Sequence, residues 1–261
     1  MSDAEPVHYA LDEGIVTVTI DRPERKNALS VEAMNGLTDA WERVEADRAA
    51  RVVILTSADC GVFSAGLDLK QAAEIRARDG VDIISRMRDP MQTAMRKVSK
   101  PIIAAMTGSL MAGGMLLASR ADLRVGLRGM RAGITEVKMG RGTPWAVPLL
   151  WMLPQPLLME LVLTGETVPI ERLAECGFVN YLEETPHAVR SRALDLARKI
   201  VEGAPLSVKA AKASVLAAMD YGCEKGLVEA DRLHIETYAS LDAIEGPRAF
   251  AEKRKPVWQG K

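Results

Sequence analysis

The apolar positions in the first part of the chain alternate between the spacing typical of strands and that typical of helices. Residues 7–20 contain two β-rich segments around Asp12-Glu13-Gly14, which predicts a hairpin. A helix is predicted over 30–46, because Ser30 is a suitable N-cap and apolar residues then recur at helical spacing. The continuous apolar run 51–56 is typical of a strand that is buried on both faces of a sheet.

The same alternation continues and then gives way to helices alone. The next predicted elements are a mostly helical stretch over 69–98, a buried strand over 101–106, a short apolar helix opening at Gly113 and a strand at 123–125. From about Ala188 the pattern is almost wholly helical, with helices predicted at 188–202, 206–219, 224–239 and 242–253. This order predicts an α/β core over residues 1–200 followed by a helical segment over 201–261.

The composition limits what the chain is expected to bind. Of its 261 residues, 48% are hydrophobic and 26% are charged, as in a globular protein with a sizeable core. The 34 Lys and Arg residues nearly balance the 35 Asp and Glu residues, so the chain has no strong field that would recruit nucleic acid or an anionic membrane. A highly anionic ligand must therefore be held by a few local cations.

The cysteines and the terminal segment suggest an intracellular setting. The three cysteines form no CxxC pair, which predicts neither a zinc site nor a disulfide framework. The first six residues are polar and acidic, unlike a signal or transit peptide. Prolines interrupt the longest apolar stretches, which are too short to span a bilayer. We therefore expect a soluble, cytoplasmic protein without a membrane segment.

Two glycine-containing segments that follow predicted strands are the first candidates for chemistry. They are FSAGLDL at 63–69 and GSLMAGGMLL at 108–117. In the second, a strand leads into a glycine pair and a helix, so that free N–H groups can bind a phosphate or a developing oxyanion. Taken alone, the first segment can equally be a turn capped by Asp68, and the second a site of close helix–strand packing.

Two further segments are RPERKNAL at 22–29 and FAEKRKPVW at 250–258. In order and spacing, the four segments resemble those of the crotonase superfamily, which is the enoyl-CoA hydratase/isomerase family. The resemblance covers nearly the whole chain. It implies a crotonase/ClpP-like α/β fold, in which repeated ββα units form a spiral core and the C-terminal helical segment mediates trimerisation. It further implies a homotrimer or a hexamer, and an enzyme for acyl-CoA thioesters. Coenzyme A would then be part of the substrate, with no tightly bound cofactor and no metal.

The resemblance also implies roles for individual residues. The backbone N–H groups of Leu67 and Gly113 match the two donors of an oxyanion hole that stabilises a thioester enolate. Phe250 and Lys253 match residues that border the CoA site of a neighbouring subunit, although the basic run at 253–255 can also be a solvated helix end. Further matches to substrate or CoA contacts are Lys26, Ala28, Ala65, Gly66, Asp68, Leu69, Leu116 and Trp145.

The acid–base residues depart from the pattern of the family's hydratases, which carry two glutamates. The first of these positions is Leu116 here, and the second, in the segment AGITEVKMG, is Glu136. A Gly-Gly pair whose amide can hold water in the hydratases is replaced by Ala146-Val147. One carboxylate suffices to move a proton between C2 and C4 of an acyl chain, which fits a Δ3–Δ2 enoyl-CoA isomerase. A hydratase-like enzyme of fatty-acid or related acyl-CoA metabolism stays open beside it. We expect Glu136 to lie in an apolar pocket with Leu116 and Trp145, where desolvation raises its pKa.

Other functions stay open at this stage. A decarboxylase or thioester hydrolase of the same family would differ in only a few pocket residues, and the loss of one glutamate is compatible with a non-catalytic acyl-CoA-binding protein. The near-neutral charge argues against an RNA-binding homologue. The three histidines, at 8, 187 and 234, lie away from these segments and are predicted to be structural. Ser64 has no identifiable His and Asp partners, which argues against serine-protease chemistry.

Overall fold

The structure is a computed structural model that describes residues 5–261, apart from the side chains of Pro90 and Gln92. The larger of its two sheets lies at the centre of the core. The strands are β1 (Val7–Asp12), β2 (Ile15–Ile20), β3 (Val52–Ser57), β4 (Val62–Ser64), β5 (Ile102–Met106), β6 (Ser109–Met111), β7 (Leu123–Leu127), β8 (Arg131–Gly133), β9 (Thr167–Pro169) and β10 (Tyr181–Glu183). The larger sheet has the order β1-β2-β3-β5-β7-β10 and is parallel except for the β1–β2 hairpin. The smaller sheet has the order β4-β6-β8-β9, of which β8 and β9 pair antiparallel.

Helices cover both faces of the larger sheet and form the C-terminal part of the chain. They are α1 (Val31–Ala46), α2 (Leu69–Asp79), α3 (Met95–Lys97), α4 (Gly113–Arg120), α5 (Gln155–Thr164), α6 (Ile170–Glu175), α7 (Pro186–Val201), α8 (Pro205–Ala239) and α9 (Leu241–Ala251). Shorter helical turns lie at Pro23–Arg25, Ile83–Arg86, Pro90–Ala94, Glu136–Met139 and Pro144–Trp151. Across residues 5–261, no helix has the length and apolar character needed to cross a bilayer.

The apolar runs of the central strands are buried on both faces, as the sequence predicts. All six residues of β3 are buried. On β5, Ile102 and Ala104 pack in the cluster that contains Trp41 of α1. The alternate residues Ile103 and Ala105 pack in a second cluster, with side chains of α7. The sheet is therefore a middle layer between α7 on one side and α1, α4 and the smaller sheet on the other.

The predicted hairpin and the first helix are confirmed. The strands β1 and β2 pair from Val7 opposite Ile20 to Asp12 opposite Ile15. At the start of α1, the side chain of Ser30 accepts a hydrogen bond from the Ala33 N–H at 3.2 Å. Both elements depend on local signals, namely a turn sequence and a capping residue, which explains why the sequence alone predicts them.

The stretch predicted over 69–98 is mostly helical, as expected, but it is divided into short pieces. The helix α2 ends at Asp79, because Gly80 adopts a left-handed conformation with φ of 71° that closes the last turn. Asp82 then begins a separate turn by accepting a hydrogen bond from the Ile84 N–H at 3.0 Å. The rest of the stretch consists of the short turn Pro90–Ala94 and the three-residue helix α3.

The C-terminal helices agree with the predicted elements, including the break near residue 222. Gly222 lies within α8 with φ of 76° and ψ of 174°, which is not helical. The chain reverses there, so that the Ser214 hydroxyl lies 3.5 Å from Nδ1 of His234. A Cβ atom on Gly226 would lie only 2.7 Å from Cα of Ala218. The helix α8 is thus a close-packed helical hairpin, and its use in trimerisation stays a prediction.

Candidate active site

A cavity of about 300 Å³ lies where the turn after β4, the start of α4 and the turn Glu136–Met139 meet. Most of its wall is apolar, and four methionines contribute to it: Met34, Met87, Met91 and Met139. The predicted site residues in this wall are Ala65, Leu67, Leu69, Gly113, Leu116, Glu136 and Trp145. The fold therefore brings both glycine segments and the glutamate segment to one cavity, although 71 positions separate Ala65 from Glu136 in the sequence numbering.

The turn after β4 passes so close to α4 that only glycine fits at position 66. Gly66 has φ of +82°, and a Cβ atom there would lie 2.9 Å from both the Met111 carbonyl oxygen and Cβ of Ala112. The Gly66 carbonyl accepts a hydrogen bond from the Leu29 N–H at 2.7 Å, and the Leu29 carbonyl accepts one from the Asp68 N–H at 3.0 Å. These two bonds fix the backbone on both sides of Leu67, next to the start of α4.

The start of α4 is equally constrained. Ala112 has φ of 49° and ψ of −113°, a conformation that is strained for any residue with a Cβ atom. The Cβ atom of a residue at position 113 would lie 2.9 Å from Cδ1 of Leu29 and 3.4 Å from Cα of Gly66. Among the described residues, neither the Leu67 N–H nor the Gly113 N–H has a hydrogen-bond acceptor. Two unpaired N–H groups, one of them at the positive end of a helix, can together bind an anionic oxygen.

Glu136 lies at the first position of its short helical turn and presents a carboxylate to the same cavity. Its Oε1 atom accepts a hydrogen bond from Nε1 of Trp145 at 3.1 Å. Its Oε2 atom is buried and has no hydrogen-bond partner among residues 5–261. Burial raises the pKa of Glu136, and this effect exceeds the opposing effects of the Trp145 bond and of the positive charge on Arg141. The predicted surroundings of Glu136 and the direction of its pKa shift are thus confirmed.

Comparison with known proteins assigns the chain to a family. Residues 10–261 match the family described as "Enoyl-CoA hydratase/isomerase". The chain belongs to this family. The crotonase resemblance drawn from the sequence is therefore confirmed, and the chain is an enzyme of the hydratase/isomerase family that acts on acyl-CoA.

Individual relatives match along almost their whole length. The "(E)-benzylidenesuccinyl-CoA hydratase" of Thauera aromatica is 34% identical, over 98% of this chain and 99% of the relative. A "Carnitinyl-CoA dehydratase" of Salmonella typhi is 33% identical, over 99% of this chain and 100% of the relative. The crystal structure of an enoyl-CoA hydratase from Mycobacterium tuberculosis H37Rv has a TM-score of 0.87 at 35% identity, and the match covers 99% of this chain and 100% of that one. The predicted crotonase fold is thereby confirmed.

The segment in which the family's hydratases carry a Gly-Gly pair is a helical turn in this enzyme. Ala146 and Val147 lie in the 3-10 helix Pro144–Trp151. The Ala146 N–H already donates a hydrogen bond to the Thr143 carbonyl at 3.0 Å. Val147 is 63% exposed and lies outside the wall of the cavity. Neither residue offers a free N–H to a water molecule in the cavity.

Two acidic residues near the cavity were missed by reasoning from the sequence. Asp82 forms a bidentate ion pair with Arg141, at 3.0 and 3.1 Å, and Arg141 lines the cavity. The Arg141 N–H donates to the Glu136 carbonyl at 3.0 Å, so this pair ties the Glu136 turn to the segment that begins at Asp82. Asp89 contributes a second carboxylate to the cavity wall. It accepts hydrogen bonds from the Met91 N–H at 3.0 Å and from the Thr93 hydroxyl at 2.8 Å.

Asp68 has a clear structural part in the fold. One carboxylate oxygen caps α2 by accepting from the Gln71 N–H at 3.1 Å, and the other accepts from Arg22 at 3.0 Å. Burial alone would raise the pKa of Asp68, but these bonds and the charges of Arg22 and Arg25 hold it below its usual value. Both oxygens are occupied, which favours the cap over a contact with CoA, the two alternatives that the sequence leaves open.

The other predicted residues lie outside the cavity wall. Lys26 has φ of 52° and ends the turn Pro23–Arg25, and its carbonyl accepts a hydrogen bond from the Ala65 N–H at 3.1 Å. Ala28 is buried. Phe250, on α9, is 88% exposed, and Lys253 follows at the exposed end of the same helix. The structure thus brings Lys26 near the first glycine segment and leaves Phe250 and Lys253 on the surface of the C-terminal helices.

Proposed function

We propose that this enzyme moves a proton between carbon atoms of an unsaturated acyl-CoA, with Glu136 as its only proton carrier, and is most active as a Δ3–Δ2 enoyl-CoA isomerase. The observation that supports this most directly is the buried, unpaired Oε2 atom of Glu136, a residue in the wall of the cavity that Leu67 and Gly113 also line. A carboxylate with a raised pKa is well suited to take up a proton and return it near neutral pH.

The proposed reaction needs no group beyond these three residues. The Glu136 carboxylate takes a proton from C2 of a 3-enoyl-CoA, and the electron pair moves into the thioester to form an enolate. The N–H groups of Leu67 and Gly113 stabilise the negative charge on the enolate oxygen, each contributing about 2.7–4 kcal/mol by analogy with measured oxyanion holes. The carboxylic acid then returns the proton to C4 while the double bond forms between C2 and C3.

Hydration of a 2-enoyl-CoA is the second candidate, because relatives of this chain carry the names hydratase and dehydratase. Three features argue against it as the main reaction. Leu116 cannot act as the second acid or base, the Ala146 N–H is occupied by the Thr143 carbonyl, and the Asp89 carboxylate accepts bonds from its own turn. We therefore expect this enzyme to catalyse hydration much more slowly than isomerisation.

For the rest of the substrate we propose the contacts that the family resemblance implies. The apolar wall around Leu116 and Trp145 would receive the acyl group, and Ala65, Gly66 and Leu69 would border the pantetheine. Lys26 and Ala28 would lie near the CoA nucleotide, and so would the backbone of Asp68. Phe250 and Lys253 would complete the site of a neighbouring subunit in a trimer or hexamer. Coenzyme A would enter as part of the substrate, with no tightly bound cofactor, in the cytoplasm.

A product analysis on a small panel of CoA esters tests the proposal. The panel contains a 3-enoyl-CoA, the matching 2-enoyl-CoA, a malonyl-type CoA ester and a saturated acyl-CoA. Mass spectrometry and absorbance then report isomerisation, hydration, decarboxylation and thioester hydrolysis in parallel. We expect isomerisation to be the fastest of the four reactions. Faster hydration, decarboxylation or hydrolysis would overturn the proposal in favour of that reaction, and tight binding without any turnover would indicate a non-catalytic acyl-CoA-binding protein.

A further inference from the structure

A second and larger cavity, of about 820 Å³, lies behind the active site. We call it the rear cavity. It is bounded by the end of α4, by α3, by the helix Pro144–Trp151 and by the first half of α8. Two of these elements, α4 and the helix Pro144–Trp151, also contribute residues to the active-site cavity, so the two cavities are neighbours. A volume of 820 Å³ falls within the range of about 300–1,000 Å³ that is usual for small-molecule sites.

The wall of the rear cavity is mainly apolar. Its largest apolar side chains come from α3, the helix Pro144–Trp151 and α8, and they include Met95, Val147, Trp151, Val215 and Met219. Val147, Trp151 and Val215 are all more than half exposed. Apolar surface of this extent around a concave site favours a ligand with an apolar body.

Most charged side chains of this cavity already have partners. Arg96 forms an ion pair with Asp220. Lys212 pairs with Asp122 at 2.8 Å and also donates to the Lys100 carbonyl at 2.9 Å. Arg124 is buried and donates to backbone carbonyls, among them that of Ala121 at 2.6 Å. These groups are held in place by the protein itself and need no ligand.

Arg120 differs from all of them. Among the described residues, its guanidinium has no ion pair and no hydrogen bond, and its Nε atom is buried without a partner. Burial lowers the pKa of Arg120, and the positive charge of Arg96 adds to this effect, whereas the negative charge of Asp89 opposes it. A guanidinium whose Nε–H is buried without an acceptor is costly, because that donor loses water and gains nothing in return. A planar fork of donors matches a carboxylate in particular.

We propose that the rear cavity is a second binding site, distinct from the active site, for an amphipathic carboxylate such as a free medium-chain fatty acid. Arg120 would bind the carboxylate head through its fork of N–H groups. The methionines, Trp151 and the valines would contact the hydrocarbon chain. The proposal does not depend on the function of Glu136, because it concerns binding at residues that the proposed reaction does not use.

The test uses quenching of tryptophan fluorescence by 11-bromoundecanoate, whose bromine quenches an indole that it contacts. Trp151 borders the rear cavity and Trp145 the active-site cavity, so the matched variants W151F and W145F report which cavity the probe enters. We expect saturable quenching in the wild-type enzyme and in W145F, and loss of this quenching in W151F. The uncharged analogue 11-bromoundecanol should bind at least tenfold more weakly than the acid.

Variants of Arg120 test the charge itself. We expect R120Q to bind the probe at least tenfold more weakly and R120K to be intermediate, because lysine keeps the charge and loses the fork. Without ligand, R120Q should unfold at a urea concentration no lower than the wild type, since it removes an uncompensated charge, and the acid should raise the wild-type midpoint only. Unchanged affinity in R120Q, equal binding of the alcohol, or quenching that persists in W151F would overturn the proposal. An absence of saturable quenching would overturn it too, as expected if a second copy of the chain covers the cavity.

Discussion

Replacement of Gly66 by alanine is expected to destabilise and inactivate the enzyme through two separable effects. The first is conformational, because an L-residue at φ of +82° costs about 1–2 kcal/mol. The second is steric, because the new Cβ atom would lie 2.9 Å from the Met111 carbonyl oxygen and 3.0 Å from the Gly113 nitrogen. These are backbone atoms that cannot rotate away, and forced overpacking of this kind costs about 1–3 kcal/mol.

Gly80 provides a matched control for the conformational effect. It has φ of +71°, and nothing lies within 4 Å of a Cβ atom built there. G80A should therefore lose about 1–2 kcal/mol of unfolding free energy, and G66A about 2–5 kcal/mol, both measured by urea denaturation. The difference between the two variants is the steric contribution alone. Equal stability of G66A and G80A would show that the close approach of Gly66 to α4 is absent.

The activity of the same variants tests the proposed oxyanion hole. Because the steric clash pushes Gly66 away from Gly113, the two N–H donors should lose their common geometry in G66A. Loss of one such donor typically lowers kcat by about 10²–10³. We expect a loss of this size in G66A under conditions where it is folded, and an unchanged kcat in G80A. A folded G66A with the kcat of G80A would refute the assignment of the Leu67 N–H to the oxyanion hole.

Two further predictions concern pH dependence and hydration. The isomerase needs Glu136 ionised before it takes up a proton, so kcat/KM should fall as the pH drops through its pKa. R141Q removes a positive charge that lowers the pKa of Glu136, so it should move the acidic limb of the kcat/KM–pH profile to higher pH. D82N leaves the charge of Arg141 uncompensated, so it should move this limb to lower pH. A shift in the same direction for both variants would contradict this. L116E should not become a strong hydratase, because the Ala146 N–H is already bonded within its own helical turn, and crotonyl-CoA hydration in L116E as fast as isomerisation would contradict it.

The parts of the fold that the sequence predicts depend on local pattern. Residues 52–55 are all apolar because both faces of their strand are buried. Ser30 precedes its helix because the first N–H groups need an acceptor. The strands of the smaller sheet escaped prediction, since they span only three residues each and show no usable periodicity. The break after α2 depends on the left-handed conformation of Gly80, which a glycine permits without requiring it.

The candidate site was predictable as far as the family segments extend. They led to Glu136, Leu67 and Gly113, which the fold brings to one cavity. The pairing of Arg141 with Asp82 was not predictable, because the two residues are far apart in sequence and carry no local signal of contact. Nor does any sequence pattern reveal the strained backbone of Ala112 at the start of α4, which tertiary packing alone imposes.

The central claim, that Glu136 alone carries the proton, is tested most directly by exchange of the α-proton of a bound acyl-CoA into deuterated water. Glu136→Gln is nearly isosteric and should keep the fold and the acyl-CoA affinity, which calorimetry can verify. E74Q, the same change at an exposed glutamate of α2, is the control and should exchange at the wild-type rate. The account predicts that E136Q exchanges about 10²–10⁴ times more slowly than the wild type. An E136Q enzyme that binds its ligand and still exchanges at the wild-type rate would contradict it.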